Sequence, residues 1–252
     1  MNLTGNTILI TGGGSGIGRG LAEAFHDAGN QVVIAGRRKQ ALDETTAANP
    51  GIKSLTLDIE DPAAIRAFAT RAAADFPSLN VLINNAGIMR AEKLLAQQPD
   101  LADAEATIAT NLLGPLRLTA ALLPHLEKQP HSVIVNVSSG LAFLPLVLTP
   151  TYCATKAALH SYTESLRYQL RKTQIEVLEL IPPYVQTDLM GGAGDPRAMP
   201  LDTYIAEVME ILKAQPTPSE IVVEKAKGLR FAAAGNYDGI FQGLNAAMAD
   251  SF

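Results

Sequence analysis

Short, almost continuous apolar runs alternate along the chain with longer stretches in which apolar residues recur every three to four positions. The runs at 7–10, 31–35, 54–58, 80–83, 133–137, 176–181 and 221–224 read as strands, and the first six have the unbroken apolar character of strands buried on both faces. The stretches at 16–28, 39–48, 62–75, 103–127 and 151–172 have helical length and period. Such alternation predicts an α/β fold, a doubly wound parallel sheet of about seven strands with helices on both faces. No repeat, low-complexity linker or shift in composition divides the chain, so residues 1–252 are expected to form one domain. The polar stretch Gly191-Gly192-Ala193-Gly194-Asp195-Pro196 breaks the pattern after the sixth strand. Ligands bind beyond the carboxyl ends of strands in open parallel sheets. The flexible segment 190–200 is therefore either a substrate loop or an ordinary surface loop.

Composition narrows the partners. With 252 residues, 47% of them hydrophobic and 18% charged, the chain has ample core. The net charge of −5 and the single short basic cluster, Gly36-Arg37-Arg38-Lys39, argue against a nucleic-acid partner. The apolar runs look too short and too often interrupted for a bilayer, and Met1-Asn2-Leu3-Thr4 leads straight into a strand, so no membrane partner and a cytoplasmic location are expected. One cysteine, Cys153, permits no intrachain disulfide. Its neighbours at helical spacing include Lys156 and Ala157 but no His, which fits a small helix residue better than a nucleophile.

Thr11-Gly12-Gly13-Gly14-Ser15-Gly16-Ile17-Gly18 lies between the first strand and the first helix. A lone glycine-rich turn is weak evidence, but strand, turn and helix in that order form a dinucleotide-binding context. Backbone N–H groups at the helix N-terminus stabilise a pyrophosphate, and Gly12, Gly16 and Gly18 permit close approach. An acid after the second strand would bind the ribose 2′-OH of NAD, whereas Arg accommodates a 2′-phosphate. The chain has Arg37 and Arg38 there and no acid. NADP(H) is therefore favoured over NAD(H), with Arg37 the main contact and Arg38 a second, although the glycine-rich turn adds no basic residue.

Tyr152-x-x-x-Lys156 places a phenol and an ammonium on one helical face, with Ser139 upstream. A phenol with a pKa of about 10 is a poor acid or base near neutrality, and moving it there takes roughly 4 kcal/mol. A cation at about 4 Å, in an effective dielectric near 20, supplies roughly 4 kcal/mol. One lysine is thus the right size to lower the phenol, less what desolvation takes back. Pro150 suits the first turn of this helix, with Thr149 as its cap. Taken alone, a Tyr–Lys pair at this spacing is more often an ordinary surface pair.

Taken in order, Thr11–Gly18, Asp58, Asn84-Asn85-Ala86-Gly87, Asn111, Ser138-Ser139, Tyr152-x-x-x-Lys156 and Pro182-Pro183-Tyr184-Val185-Gln186-Thr187 resemble the short-chain dehydrogenase/reductase family over residues 3–189. The resemblance implies a single-domain Rossmann fold that transfers hydride between a nicotinamide cofactor and a carbonyl or alcohol. It implies that Tyr152 is the general acid–base and that Lys156 lowers its pKa and holds the nicotinamide ribose. By the same resemblance Ser139 bonds the substrate oxygen, Ser138 is structural, and Asn111 holds a water in the proton relay. It places Gly12, Gly14, Ser15, Gly16, Ile17, Gly18, Asp58, Ile59, Asn85, Ala86, Gly87, Pro182, Val185 and Thr187 around the cofactor. Pro183 stands where the family commonly has Gly and removes a backbone N–H. The C-terminal tail also departs from the tetramer-forming pattern of many members. The long helices at 103–127 and 151–172 resemble the family's dimer-forming pair, which implies a homodimer. Tail and Pro-Pro variant together resemble the DltE-like oxidoreductases of the family.

Two rival functions fit parts of the pattern. An NADP(H)-binding redox sensor without turnover would use the same fold, but such proteins often lack the tyrosine or the lysine. A serine hydrolase fails because Ser138-Ser139-Gly140 is no Gly-x-Ser-x-Gly elbow and none of His26, His125, His131 and His160 sits at a catalytic strand end. No metal-ligand spacing is visible in the sequence, and His160 reads as a packing or surface residue. Leu141, Phe143, Leu144, Leu146 and Val147 point to an apolar substrate pocket, with Arg90 in reach of it.

Overall fold

The computed structural model describes residues 1–94, 100–215 and 217–247, with no side-chain placement at 190, 192 and 193. The strands are β1 (Thr7–Thr11), β2 (Gln31–Gly36), β3 (Lys53–Thr56), β4 (Leu79–Asn84), β5 (Ser132–Val137), β6 (Ile175–Ile181) and β7 (Glu220–Val222). They form one sheet in the order β3-β2-β1-β4-β5-β6-β7, with every pair parallel. The order reverses beside β1, which makes the edge between β1 and β4 the switch point at which doubly wound sheets bind ligands.

Period-two alternation sorts each strand between two cores. Ile8 and Ile10 of β1 face α1 (Gly16–Asp27), whereas Leu9 faces α3 (Pro62–Asp75) and α5 (Gly114–Leu126). Leu118, Leu122 and Leu126 repeat every four residues on α5 and are wholly buried, each contributing about 2 kcal/mol. The remaining helices are α2 (Lys39–Ala48), α4 (Ala102–Ile108), α6 (Pro150–Leu170), α7 (Leu201–Ala214), α8 (Glu224–Arg230) and α9 (Tyr237–Ala247).

Four local expectations change. β3 stops at Thr56, and Asp58 lies beyond it, its carboxylate accepting the Glu60 N–H at 3.0 Å in a turn that competes with the ladder. The expected helix at 103–127 is two helices joined by a π turn, Ala109–Leu113. Pro115 has no N–H to donate backwards, and the Gly114 N–H reaches Ala109 O, five residues earlier. Gly114 is required there, because a Cβ would lie 2.6 Å from Ile59. The segment Ala102–Leu126 is, by length and composition, apolar enough to cross a bilayer, contrary to the expectation from the apolar runs; here α5 packs beside α3 and against β4 and β5. Finally, Thr149 occupies the cap position of α6 without a side-chain cap bond. Glu92 takes that role: its carboxylate accepts the Thr151 N–H and the Thr151 hydroxyl, both at 2.9 Å.

Candidate active site

Two adjoining cavities of about 440 and 410 Å³ open at the carboxyl edge of the sheet. The first is lined by Gly12, Gly14, Ser15, Gly16, Arg37, Arg38, Ile59, Asn85, Ala86, Gly87 and Thr187. The second is lined by Ile17, Asn85, Gly87, Ser138, Ser139, Tyr152, Lys156, Pro182, Pro183, Val185 and Thr187. Two expected cofactor residues line neither: Gly18 packs under the turn, and Asp58 holds its own loop.

The glycine-rich turn fits a phosphate-bearing ligand. Gly12 has φ +70°, open to glycine at little cost, and a Cβ on Gly18 would lie 2.4 Å from both Asn85 Nδ2 and Gly12 O. The first turn of α1 carries no acidic residue, and the Ser15 side chain makes no cap bond to it. Its N–H groups and the positive end of the helix dipole therefore face the cavity, as anion binding requires. The Thr11 hydroxyl accepts the N–H groups of Asn85 and Ala86 at 3.0 and 3.1 Å, which locks the β4 turn against this loop.

The two arginines part company. Arg37 donates to Glu60 at 2.6 Å, and Glu60 also accepts the Thr110 hydroxyl at 2.8 Å. Arg38 donates to Ser15 Oγ at 2.7 Å, which sets its guanidinium against the glycine-rich turn. The sequence ranked Arg37 first; both arginines line the first cavity, Arg37 paired with Glu60 and Arg38 set against Ser15.

Ser139, Tyr152 and Lys156 converge at the floor of the second cavity. Ser139 Oγ accepts the Leu141 N–H at 3.1 Å, which begins a short 3₁₀ turn after β5. Lys156 Nζ donates to Val137 O at 2.8 Å and lies 5.6 Å from the centroid of the Tyr152 ring. The lysine does not lower the phenol as the sequence argument expected. Burial pushes Tyr152 up to about 12, with the Ser139 hydrogen bond working against it, and the same burial takes Lys156 down to about 8, opposed by the charge of Glu179. Desolvation of two nearly inaccessible groups sets the direction of both shifts.

Asn111 sits in the π turn, 1% exposed. Its amide grips the backbone of Ile88 on both sides, Oδ1 accepting the N–H at 2.9 Å and Nδ2 donating to the carbonyl at 2.8 Å. Cys153 is buried with its thiol raised by desolvation, chiefly a packing residue. In the segment after β6, Asp195 and Arg197 pair at 2.6 Å, and Met199 bridges to Val185.

The comparisons with known proteins agree with this arrangement. The family described as short chain dehydrogenase matches residues 6–197. The chain belongs to the short chain dehydrogenase family. The oxidoreductase DltE of Bacillus subtilis (strain 168) is 40% identical over 97% of this chain and 98% of its own length, which makes the chain a DltE-like member of this oxidoreductase family. A short chain dehydrogenase from Burkholderia cenocepacia J2315, solved in complex with NADP, superposes with a TM-score of 0.82 at 25% identity over 97% of this chain and 99% of that one. The 3-ketoacyl-(acyl-carrier-protein) reductase from Brucella melitensis, complexed with NADH, gives 0.78 at 27% identity over 89% and 100%.

Within this family member, three features escaped the sequence. Glu92 caps the helix that carries Tyr152 and Lys156, from a loop with no motif of its own. Glu179 is fully buried on β6, accepting from or pairing with His160 Nδ1 at 2.8 Å and adding a charge behind Lys156. His160, Glu179 and Glu220 bring ligand atoms within 4.8 Å of one another, the one such trio among the described residues, but Arg230 already forks onto Glu220 with two bonds of 2.8 Å. Leu229 and Leu244, from α8 and α9, line the second cavity. The approach of Glu179 to Glu220 was invisible because it is made only by strand register between β6 and β7.

Proposed function

We propose that the chain is an NADP(H)-dependent oxidoreductase that interconverts a carbonyl and an alcohol, with Tyr152 as general acid–base. The observation that carries this reading is the convergence of Ser139, Tyr152 and Lys156 on one cavity that adjoins the glycine-rich groove. The glycine-rich groove would hold a nicotinamide cofactor, which when bound would supply the hydride. Ser139 hydrogen-bonds the substrate oxygen, Tyr152 gives that oxygen its proton, and the Lys156 cation stabilises the phenolate left behind. Hydride to carbon and proton to oxygen balance the reduction to the alcohol. Asn111 fixes the Ile88 backbone beside this relay. Ser15 and Arg38 form the 2′-phosphate contact, which is the basis for NADP(H) over NAD(H). Leu101, Ile108 and Leu113 expose apolar surface on and beside α4, a face suited to a homodimer.

The test is Tyr152→Phe, with NADPH oxidation followed against a panel of ketones and aldehydes. The rate is expected to fall at least about 100-fold while NADPH affinity stays within about twofold. A phenylalanine variant with wild-type turnover sinks the assignment.

A further inference from the structure

The C-terminal helices contribute apolar side chains to the second cavity. Leu229 and Leu244 line it together with Met89, Leu141, Leu146 and Leu148. The charged groups at the mouth are spent on each other. Arg197 donates to both oxygens of Asp195, with distances from 2.6 to 3.0 Å, and the Tyr184 hydroxyl donates to Asp195 at 3.2 Å. The Arg197 guanidinium holds the Asp195 carboxyl well below the usual carboxylate range, so this pair stays ionised and mutually neutralised.

α9 is fastened by polar straps instead of by a core. None of its described residues is fully buried. Asn245 Oδ1 accepts the Val147 N–H at 2.8 Å, Asn245 Nδ2 donates to Pro145 O at 3.2 Å, and Arg197 Nη1 donates to Ala247 O at 2.7 Å. Both gripped loops line the cavity themselves, through Leu146 and through Asp195 and Arg197. The helix therefore sets the position of two other walls as well as its own.

We propose that α9, through Leu244 and the Asn245 clamp, selects an uncharged substrate with an apolar body, an aliphatic or aromatic ketone or its secondary alcohol, over carbonyl acids. The inference rests on the carbonyl–alcohol reading given above. A substrate carboxylate buried against Leu229 and Leu244 would find no unpaired cation there, since Arg197 is held by Asp195 and the other lining cation among the described residues, Lys156, lies beside Tyr152, a cost that an apolar chain avoids.

The test uses the full chain with NADPH and two substrates of equal length, 2-octanone and 2-oxooctanoate, for wild type, Leu244→Arg, Leu244→Ala and Asn245→Ala. Wild type is expected to favour the ketone at least about tenfold in kcat/KM. Leu244→Arg should lose at least about tenfold on the ketone through KM and gain on the oxo acid, with NADPH affinity unchanged. Leu244→Ala and Asn245→Ala should raise KM for the ketone several-fold with kcat nearly constant. These milder variants keep the test decisive where the arginine disturbs folding, which circular dichroism reports. A wild type that prefers the oxo acid overturns the inference, as do Leu244 and Asn245 variants whose selectivity stays within twofold of wild type. No reduction of any carbonyl in a broad panel overturns the functional reading itself.

Discussion

Lys156 should be a burden on the fold that it serves. The residue is 4% exposed, and its ammonium donates to the Val137 carbonyl and is held down to about 8 by burial. A fall from 10.5 to about 8 corresponds to roughly 3 kcal/mol of destabilisation when the group is charged. Lys156→Met keeps the length and most of the volume of the side chain. It forfeits the bond to Val137 O, worth about 1 kcal/mol. The variant is therefore expected to gain about 2 kcal/mol near neutral pH. Urea unfolding should show this as a higher midpoint at unchanged m, and thermal unfolding as a rise of roughly 4–8 °C for a domain of this size. The sign of the pH dependence follows from the depressed folded pKa. Below about 8 the lysine is charged in both states and the penalty is complete; as pH climbs from 8 toward 10.5 the folded lysine is neutral first, and the wild type recovers. The gain of the methionine variant should thus shrink between those pH values. Tyr152 titrates higher, its folded-state stabilisation complete below 10 and lost toward 12, and it is common to both proteins. A methionine variant that is less stable than wild type at neutral pH, or a gain indifferent to pH from 8 to 10, refutes the reasoning. Its activity should meanwhile collapse, which would make Lys156 a site where stability is sacrificed to function.

Arg38→Ala should weaken NADPH binding about 10- to 100-fold and leave NADH nearly unchanged, whereas Arg37→Ala should shift either ligand by less than about threefold, measured by titrating cofactor fluorescence. Glu92→Ala should cost about 1–2 kcal/mol in urea unfolding, because it strips the Thr151 N–H and hydroxyl of their buried acceptor at the start of α6. Gly18→Ala should cost about 1–3 kcal/mol and weaken either cofactor, because its Cβ meets Asn85 Nδ2 and Gly12 O at 2.4 Å, so an alanine variant with wild-type melting and binding would count against that packing. On the proposed mechanism the rate of carbonyl reduction should fall as pH rises through about 8, where Lys156 loses its charge, and Glu179→Gln should move that fall to lower pH, because it removes the carboxylate that keeps the lysine protonated.

Much of this was legible in the sequence because it depends on short-range regularities. The apolar runs gave seven parallel strands to within a few residues, since strands buried on both faces leave an unbroken apolar signature. Spacing alone put Tyr152 and Lys156 on one face of α6, and the glycine-rich turn sat where a switch point needs it. What was not legible depends on contacts between distant segments. The π turn around Asn111 comes from Pro115 together with the approach of Gly114 to Ile59, and a pattern of apolar residues cannot tell it from a continuous helix. The ion pair of Arg37 with Glu60, 23 residues away, was likewise beyond any local pattern. The expected phenol shift failed in sign, because a sequence gives the charge that attracts and not the burial that opposes it.

That reversal bears on the direction of proton flow. Burial acts on Tyr152 and Lys156 in the same chemical sense, since it makes each prefer its neutral form. For the phenol this means holding its proton, and for the lysine it means giving one up. With values near 12 and 8, the state at neutral pH is a protonated tyrosine beside a charged lysine, and the phenolate lies roughly 5 kcal/mol or more above it. On the proposed mechanism a substrate carbonyl would therefore meet a group already carrying the proton that it needs, whereas an alcohol would meet a base that must first be generated. The cation recovers part of that cost only as negative charge develops on the phenol, which is when stabilisation accelerates a step. On the proposed mechanism the same buried lysine that weakens the fold would be useful mainly in the transition state, and a tyrosine that holds its proton at neutral pH would suit reduction there better than alcohol oxidation.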